Sequence, residues 1–230
     1  MTQGIKGLAF PTILASTVHD MKNSLGMMLR ALDAVIQQVP EPIRAQVREI
    51  SVVQYEAARV NNDMMQLLAL YKLDQDQLPL SIEYHNLLDF FDDLQSLHME
   101  LLHYHQISVT IDCDADLAWF FDYELMLSAL GNVLTNTIRY SRNQITLSAE
   151  VIDDQIWISV ADDGPGFPAL MIEKQQDYLL GVNYSSGSTG LGLFFCGQIA
   201  ALHTKQDKHG FIRLANNTRL SGGHFQMILP

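Results

Sequence analysis

Four short stretches of this 230-residue chain combine residue types that can do chemistry. The first runs from Ser16 to Ser24 and holds His19, Asp20 and Asn23. A histidine followed by an aspartate can act as a nucleophile with its own orienting carboxylate. The carboxylate keeps one ring nitrogen protonated and leaves the other lone pair free to attack. Asn23 lies four residues on, on the same helical face, where its amide can position a water. An exposed helical His-Asp pair also serves as plain surface decoration, so alone it decides nothing. The second stretch runs from Asn132 to Tyr140. Asn132 and Asn136 are four apart and share a face, with Arg139 and Tyr140 a turn later. An amide oxygen is a hard ligand suited to Mg²⁺, and Arg139 can approach phosphate. Two helix-surface asparagines would look the same.

The third stretch, Val160 to Pro168, closes a strand with Asp162 and Asp163 and continues through Gly164, Pro165 and Gly166. Such a run can be a turn. A carboxylate at a strand end can also accept a hydrogen bond from an exocyclic amine such as adenine's, and adjacent glycines let backbone approach a flat ring. The fourth, Gly187 to Leu193, places Thr189, Gly190, Leu191 and Gly192 ahead of a helix. Free N–H groups and the dipole favour phosphate there. No Gly-Lys-Ser/Thr follows, so it is not a Walker loop, and the strand of a dinucleotide fingerprint is missing.

Two kinds of element must carry these stretches. Leu14, Val18, Met21, Leu25, Met28, Leu32 and Val35 step by four and three, the spacing of a coiled-coil seam. Pro40 and Pro42 break it, and a second seam runs from Ile43 through Asn61 to Tyr71. A short connection makes the two helices antiparallel neighbours, and a dimer forming a four-helix bundle buries both stripes. An intramolecular pair packed on the rest of the chain is the alternative. Beyond Leu78 the pattern predicts a helix over 84–104, a strand at 107–111, a helix over 122–140, and a hairpin of 145–151 with 156–160 around Asp153 and Asp154. A helix through Leu202 and a closing hairpin of 211–214 with 225–229 follow. Segregated helices and antiparallel strands predict an α+β two-layer sandwich. The expected division is a tail at 1–10, a hairpin at 11–78 and a second domain at 79–230.

With 14 basic and 26 acidic residues, the formal charge of −12 argues against nucleic acid as a partner. No apolar run approaches the roughly 20 residues of a bilayer span, so no membrane insertion and a cytoplasmic location are expected.

In this order, the four stretches resemble the boxes of a bacterial two-component sensor histidine kinase core. That core is a dimerisation and histidine-phosphotransfer hairpin followed by a GHKL, or Bergerat-fold, ATP-binding domain. The resemblance covers residues from about Phe10 to Pro230. It implies that His19 is the phosphoacceptor, Asp20 its base or orienting partner, and Asn23 a support for dephosphorylating a response regulator. It implies that Asn136 holds Mg²⁺ on ATP, Asp162 binds the adenine amine, and Gly164 and Gly166 shape that pocket. Gly190 and Gly192, in the run Thr189 to Leu193, would hinge a lid and offer N–H groups to phosphate. Asn132 and Arg139 would lie near the phosphates and Tyr140 beside the base. The implied partners are a response-regulator receiver domain, a second copy of the chain, and either a separate sensory protein or a sensor region outside this sequence. A histidine phosphotransferase of kinase-like fold and a GHKL ATPase or binding module are the competing readings. Ser24 replaces a common proline, Ser188 a common glycine, and the glycine usually close behind His203 is delayed to Gly210, which predicts a longer loop.

Overall fold

The computed structural model describes residues 10–38, 48–75, 77–173, 175 and 191–230. The chain forms two compact units that divide between Leu78 and Pro79. The expected tail at 1–10 lies outside the described residues apart from Phe10.

The first unit is two helices packed on each other, α1 (Phe10–Gln37) and α2 (Arg48–Asp74). The α1 seam divides into two sets. Leu25 and Leu32 are half-buried, whereas Met21, Met28 and Val35, seven residues apart, are more than half exposed. Ile36 takes the buried place next to Val35. One stripe of this hairpin is therefore used within the chain and one is left open. Asn61 of α2 faces α1 across a cleft of about 390 Å³, lined also by Asn23, Gly26, Met27 and Arg30.

The second unit runs β1 (Ile82–Asn86), α3 (Leu87–Leu97), α4 (Met99–His105), β2 (Ser108–Asp112), β3 (Ala118–Asp122), α5 (Tyr123–Tyr140), β4 (Gln144–Ile152) and β5 (Gln155–Asp162). It continues with α6 (Ala169–Glu173), α7 (Leu191–Leu202), β6 (Thr204–Lys205), β7 (Lys208–His209), β8 (Phe211–Asn216) and β9 (Gly223–Leu229). Five strands form a sheet in the order β2-β4-β5-β9-β8. The β2–β4 pair is parallel, which departs from the expected antiparallel strands, while the other pairs of this sheet are antiparallel. The chain leaves β2, makes β3 and α5, and returns as β4 pointing the same way, as a crossover helix permits. Alternate residues Ile145 and Leu147, Ile156, Ile158 and Val160, and Phe225, Met227 and Leu229 are buried, and α5 and α7 pack on this sheet. Phe90, Phe91 and Phe121 extend the core, with Phe90 edge-on to Phe121 at 5.2 Å between ring centres. Burying each such ring contributes about 1.5–3 kcal/mol.

Turn chemistry sets the register of the central hairpin. Asp153 and Asp154 both have positive φ, 51° and 58°, so the two-residue turn has the twist that matches flanking strands. Ile152 then pairs with Gln155, and the register runs on to Ile145 opposite Asp162.

The helix expected over 84–104 is corrected. Residues 82–86 form β1, antiparallel to β3 with Tyr84 opposite Phe120. The following helix begins only where the Asn86 side chain accepts the Asp89 N–H at 3.0 Å. The long loop expected before Gly210 is instead a two-stranded ribbon, β6 with β7, turning at Gln206 with φ 55°.

Asp122 joins these parts. Its Oδ1 accepts the Leu125 N–H at 3.0 Å as N-cap of α5, and its Oδ2 accepts the Ser81 N–H at 2.8 Å. Its own backbone N–H donates to His203 Nε2 at 3.0 Å. Asp122→Ala removes the cap and strands the Ser81 N–H, so a loss of about 2 kcal/mol is expected. Urea denaturation of the full chain checks this; an unchanged midpoint would show that the cap is dispensable.

Candidate functional site

The end of β5 carries a buried carboxylate. Asp162 Oδ1 accepts the Gly164 N–H at 2.7 Å and the Gly223 N–H at 3.1 Å, while its backbone oxygen accepts the Gly222 N–H at 2.9 Å. Among the described residues both side-chain bonds land on Oδ1, which leaves Oδ2 as the oxygen for an amine. Burial pushes the carboxyl up from its usual range, against the Gly164 and Gly223 N–H groups, which hold it down. Glycine is required on both sides of this group. A Cβ at Gly164 would sit 2.4 Å from the Tyr140 carbonyl oxygen, and one at Gly222 would sit 2.2 Å from Asp162 Oδ1. The result is a backbone-lined cradle against which a flat ring can lie.

Asp163 works on the opposite side of the chain. Its carboxylate accepts the N–H groups of Arg142 and Asn143 at 2.8–3.1 Å. Burial pushes it up, but these bonds outweigh that and hold it below the usual range. Adjacent aspartates thus do different work: Asp163 ties the end of α5 to β5, and Asp162 faces the cradle.

Helix α5 forms the other wall. Asn136 is exposed, and its Nδ2 donates to the Asn132 carbonyl at 3.0 Å. That bond leaves Asn136 Oδ1, the hard donor a Mg²⁺ ion needs, without a protein partner among the described residues. The Arg139 guanidinium lies 5.7 Å over the exposed Tyr140 ring. Asn132 is buried, and its amide packs on the first turn of α7, where a Cβ at Gly192 would lie 2.1 Å from Nδ2. Beside it, burial pushes the Cys196 thiol up to about 12, which makes it an inert packing group.

The structure therefore brings Asn132, Asn136, Arg139, Tyr140, Asp162, Gly164 and Gly166 to one end of the second unit, with Leu191 and Gly192 opening α7 beside Asn132. Thr189 and Gly190 lie outside the described residues. In the first unit, His19, Asp20 and Asn23 fall on α1; Asp20 and Asn23 are exposed, and the His19 side chain lies outside the described residues. Sequence reasoning missed Gly222, Gly223 and Asn216 as part of the site. The signal was a glycine pair just before a strand, read only as a turn.

A family model for histidine kinase-, DNA gyrase B- and HSP90-like ATPases matches residues 121–230. The sensor protein PhoQ of Escherichia coli O157:H7 is 24% identical over 223 residues, 95% of this chain but 43% of that protein. The sensor histidine kinase WalK of Bacillus subtilis is 25% identical over 205 residues, 83% of this chain and 32% of WalK. Among solved structures, the Acinetobacter baumannii histidine kinase AdeS superposes with TM-score 0.61 at 19% identity, covering 92% of this chain and 96% of that one. Full-length ShkA in complex with AMPPNP gives 0.68 at 17% identity, covering 96% and 46%. Residues 121–230 therefore carry a domain of the histidine kinase-, DNA gyrase B- and HSP90-like ATPase type, and most of the chain is similar to sensor histidine kinases. It spans less than half the length of the curated relatives it matches. Among the described residues, no helix is long and apolar enough to cross a membrane.

In this ATPase-type domain the raised carboxyl of Asp162 has a measurable consequence. Its folded-state pKa lies above the ordinary value of 3.8, so the folded chain holds an extra proton in the window between the two. Stability is greatest below that window and falls as pH rises through it. Asp162→Asn keeps an oxygen for Gly164 and Gly223 and removes the buried charge. At neutral pH its melting temperature should equal or exceed that of wild type, with a flatter acid-to-neutral profile. A marked loss of stability at neutral pH would show that the charge holds the fold together.

Proposed function

We propose that this chain is an ATP-dependent protein histidine kinase that phosphorylates His19 and passes the phosphoryl group to an aspartate of a response-regulator receiver domain. The observation that carries the reading is the Asp162 cradle in an ATPase-family domain: a buried carboxylate with Oδ1 bound to backbone and Oδ2 open, lined by glycines. ShkA, of the same fold, is described in complex with AMPPNP, an analogue of ATP.

In this reading Asp162 Oδ2 accepts the adenine amine, and the Gly164 and Gly222 backbone lies along the ring. Gly166 shapes the pocket beyond, and Tyr140 flanks the base. Asn136 Oδ1 suits a Mg²⁺ ion, which when bound would neutralise charge on the phosphates. Gly190 and Gly192, with Thr189 and Leu191 around them, offer N–H groups to phosphate, and Arg139 and Asn132 border that end. One ring nitrogen of His19 attacks the γ-phosphorus in line. The bond to the β,γ-bridging oxygen breaks, ADP leaves with the electron pair, and the ring proton passes to Asp20. In the second stage a receiver aspartate oxygen attacks the phosphorus and the P–N bond breaks, restoring the imidazole. Asn23 positions a water for the reverse duty, hydrolysis of the receiver's phosphoaspartate. A reaction fed by ATP places this core in the cytoplasm, with a sensory protein or sensor region supplying input.

The open stripe on α1 supports a homodimer. Met21, Met28 and Val35 share one seam position and are 52%, 56% and 61% exposed, an apolar row that a second copy would cover in a four-helix bundle. Replacing Met28 and Val35 with Glu should halve the mass seen by light scattering while helicity persists. An unchanged mass would remove this stripe from the interface.

Phosphate transfer is tested by incubating the full chain with Mg²⁺ and γ-labelled ATP. Acid-labile, base-stable label is expected, and it should vanish in His19→Ala while nucleotide binding persists. Binding without label would overturn the kinase reading in favour of an ATPase or binding module. Failure to bind nucleotide would leave the phosphotransferase.

A further inference from the structure

The loop after Asp162 is tied down from a strand 49 residues away. Asn216, the last residue of β8, accepts the Phe167 N–H on Oδ1 at 2.8 Å and donates from Nδ2 to the Phe167 carbonyl at 2.8 Å. Both backbone groups of a single residue are thus met by one amide. Just before it, Gly166 stands at φ 77°, with its open α-carbon facing the same amide: a Cβ there would lie 2.8 Å from the Asn216 Cγ. Asn216 is also paired in register with Gly223, the residue whose N–H reaches Asp162 Oδ1 at 3.1 Å. The Phe167 ring lies against Gly223 in turn, 3.1 Å from where its Cβ would be. A closed circuit results: Asp162 to Gly164, along the loop to Phe167, across to Asn216, over to Gly223, and back to Asp162.

We infer that Asn216 is a positioning residue for the nucleotide site, holding the Gly164–Phe167 loop in place so that Asp162 and its cradle meet the base at a fixed distance. The inference rests on the nucleotide reading given above. The amide is chemically suited to this. It supplies an acceptor and a donor from one planar group, whereas aspartate lacks the donor and serine has too short a reach for both. Without the amide, the Phe167 N–H and carbonyl lose their partners and the loop can drift from β8 and β9. Asp162 keeps its two backbone bonds, so the charge stays while the shape around it loosens.

The test compares ATP with inosine triphosphate, which carries a keto oxygen where adenine has its amine and so cannot satisfy Asp162. Calorimetry on the full wild-type chain should show a clear preference for ATP. Asn216→Ala should weaken ATP binding about tenfold, the scale of two lost hydrogen bonds, and narrow the preference for ATP over the inosine nucleotide. Asn216→Asp preserves volume and the acceptor but sets a carboxylate against the Phe167 carbonyl, and should act in the same direction if the alanine variant folds poorly. Gly166→Ala should weaken binding in wild type and add less in the Asn216→Ala background, because the added methyl and the amide occupy the same space. Arg219→Ala is the control: it belongs to the same β8–β9 turn but pairs with Asp112 at 2.6 Å and Glu150 at 3.3 Å. It should lower stability slightly and leave the nucleotide preference unchanged. An Asn216 variant with wild-type preference would overturn the inference, as would an Arg219 variant that shifts the preference equally. A wild-type chain that binds neither nucleotide would instead overturn the nucleotide reading on which the inference rests.

Discussion

Asp162 must hold a carboxylate out of water in a chain whose formal charge is already −12. The side-chain bonds that support it come from backbone N–H groups, those of Gly164 and Gly223. Backbone donors are fixed by the path of the chain, so keeping this one charge constrains geometry on three sides. The loop after β5 must fold back within 2.7 Å, which excludes a side chain at residue 164. Strand β9 must lie beside β5, where the Gly222 N–H reaches the Asp162 backbone oxygen and the Gly223 N–H reaches Oδ1. Helix α5 must end where the Tyr140 carbonyl abuts Gly164. Burial still leaves the carboxyl above its usual range, so the apo protein carries an electrostatic cost that a hydrogen-bond donor in the cradle would relieve. Sites built to bind show this pattern more often than sites built to stabilise.

Helix α5 transmits that constraint through the second unit. Eighteen residues long, it spans about 27 Å and is held at both ends by aspartates. Asp122 caps its start and draws in Ser81 and His203. Asp163 clamps the turn after its end through Arg142 and Asn143. Between them Asn132 is buried against Gly192 and Asn136 is exposed, so adjacent turns of one helix carry a packing amide and an amide whose oxygen is open. The first turn of α7 thus packs directly on Asn132, one turn from Asn136.

How much of this was legible in the sequence depended on how local each cause was. Asp153 and Asp154 between alternating apolar residues announced their hairpin because the turn and both strands lie within one short window, Gln144 to Asp162. Helix α5 was legible because its cap, its apolar rows and its end fall in one window. Strand β1 was not, since Tyr84 and His85 fit the helical spacing that follows and become a strand only by pairing with β3 over thirty residues later. The parallel β2–β4 pair was missed for the same reason: direction in a sheet belongs to the connection. At the site, the residues before and after Asp162 stood out as a glycine-bearing strand end. Asn216, Gly222 and Gly223 did not, because only the β5–β9 and β8–β9 pairings bring them to it. A histidine beside an aspartate on α1 was visible as a pattern, yet exposure and spacing alone could not separate it from decoration.

The net charge places a further demand on the proposed nucleotide site, which would have to recognise a polyanion. The summed field of a −12 chain repels a triphosphate at long range, so association gains nothing from steering. Attraction has to come from groups within a few ångströms: N–H groups at the start of α7, the Arg139 guanidinium, and an ion held on Asn136. Each is local, and each loses strength steeply with distance or misalignment. The acidic cleft beside β1, where Glu83, Asp122 and Glu124 line about 200 Å³, has none of these donors and cannot compete for phosphate. In the proposed nucleotide reading, discrimination and attraction are thus separated along the site. The Asp162 end would select by shape and hydrogen bonding to a neutral ring, where the field matters little. The other end would supply attraction only when its few positive groups are aligned.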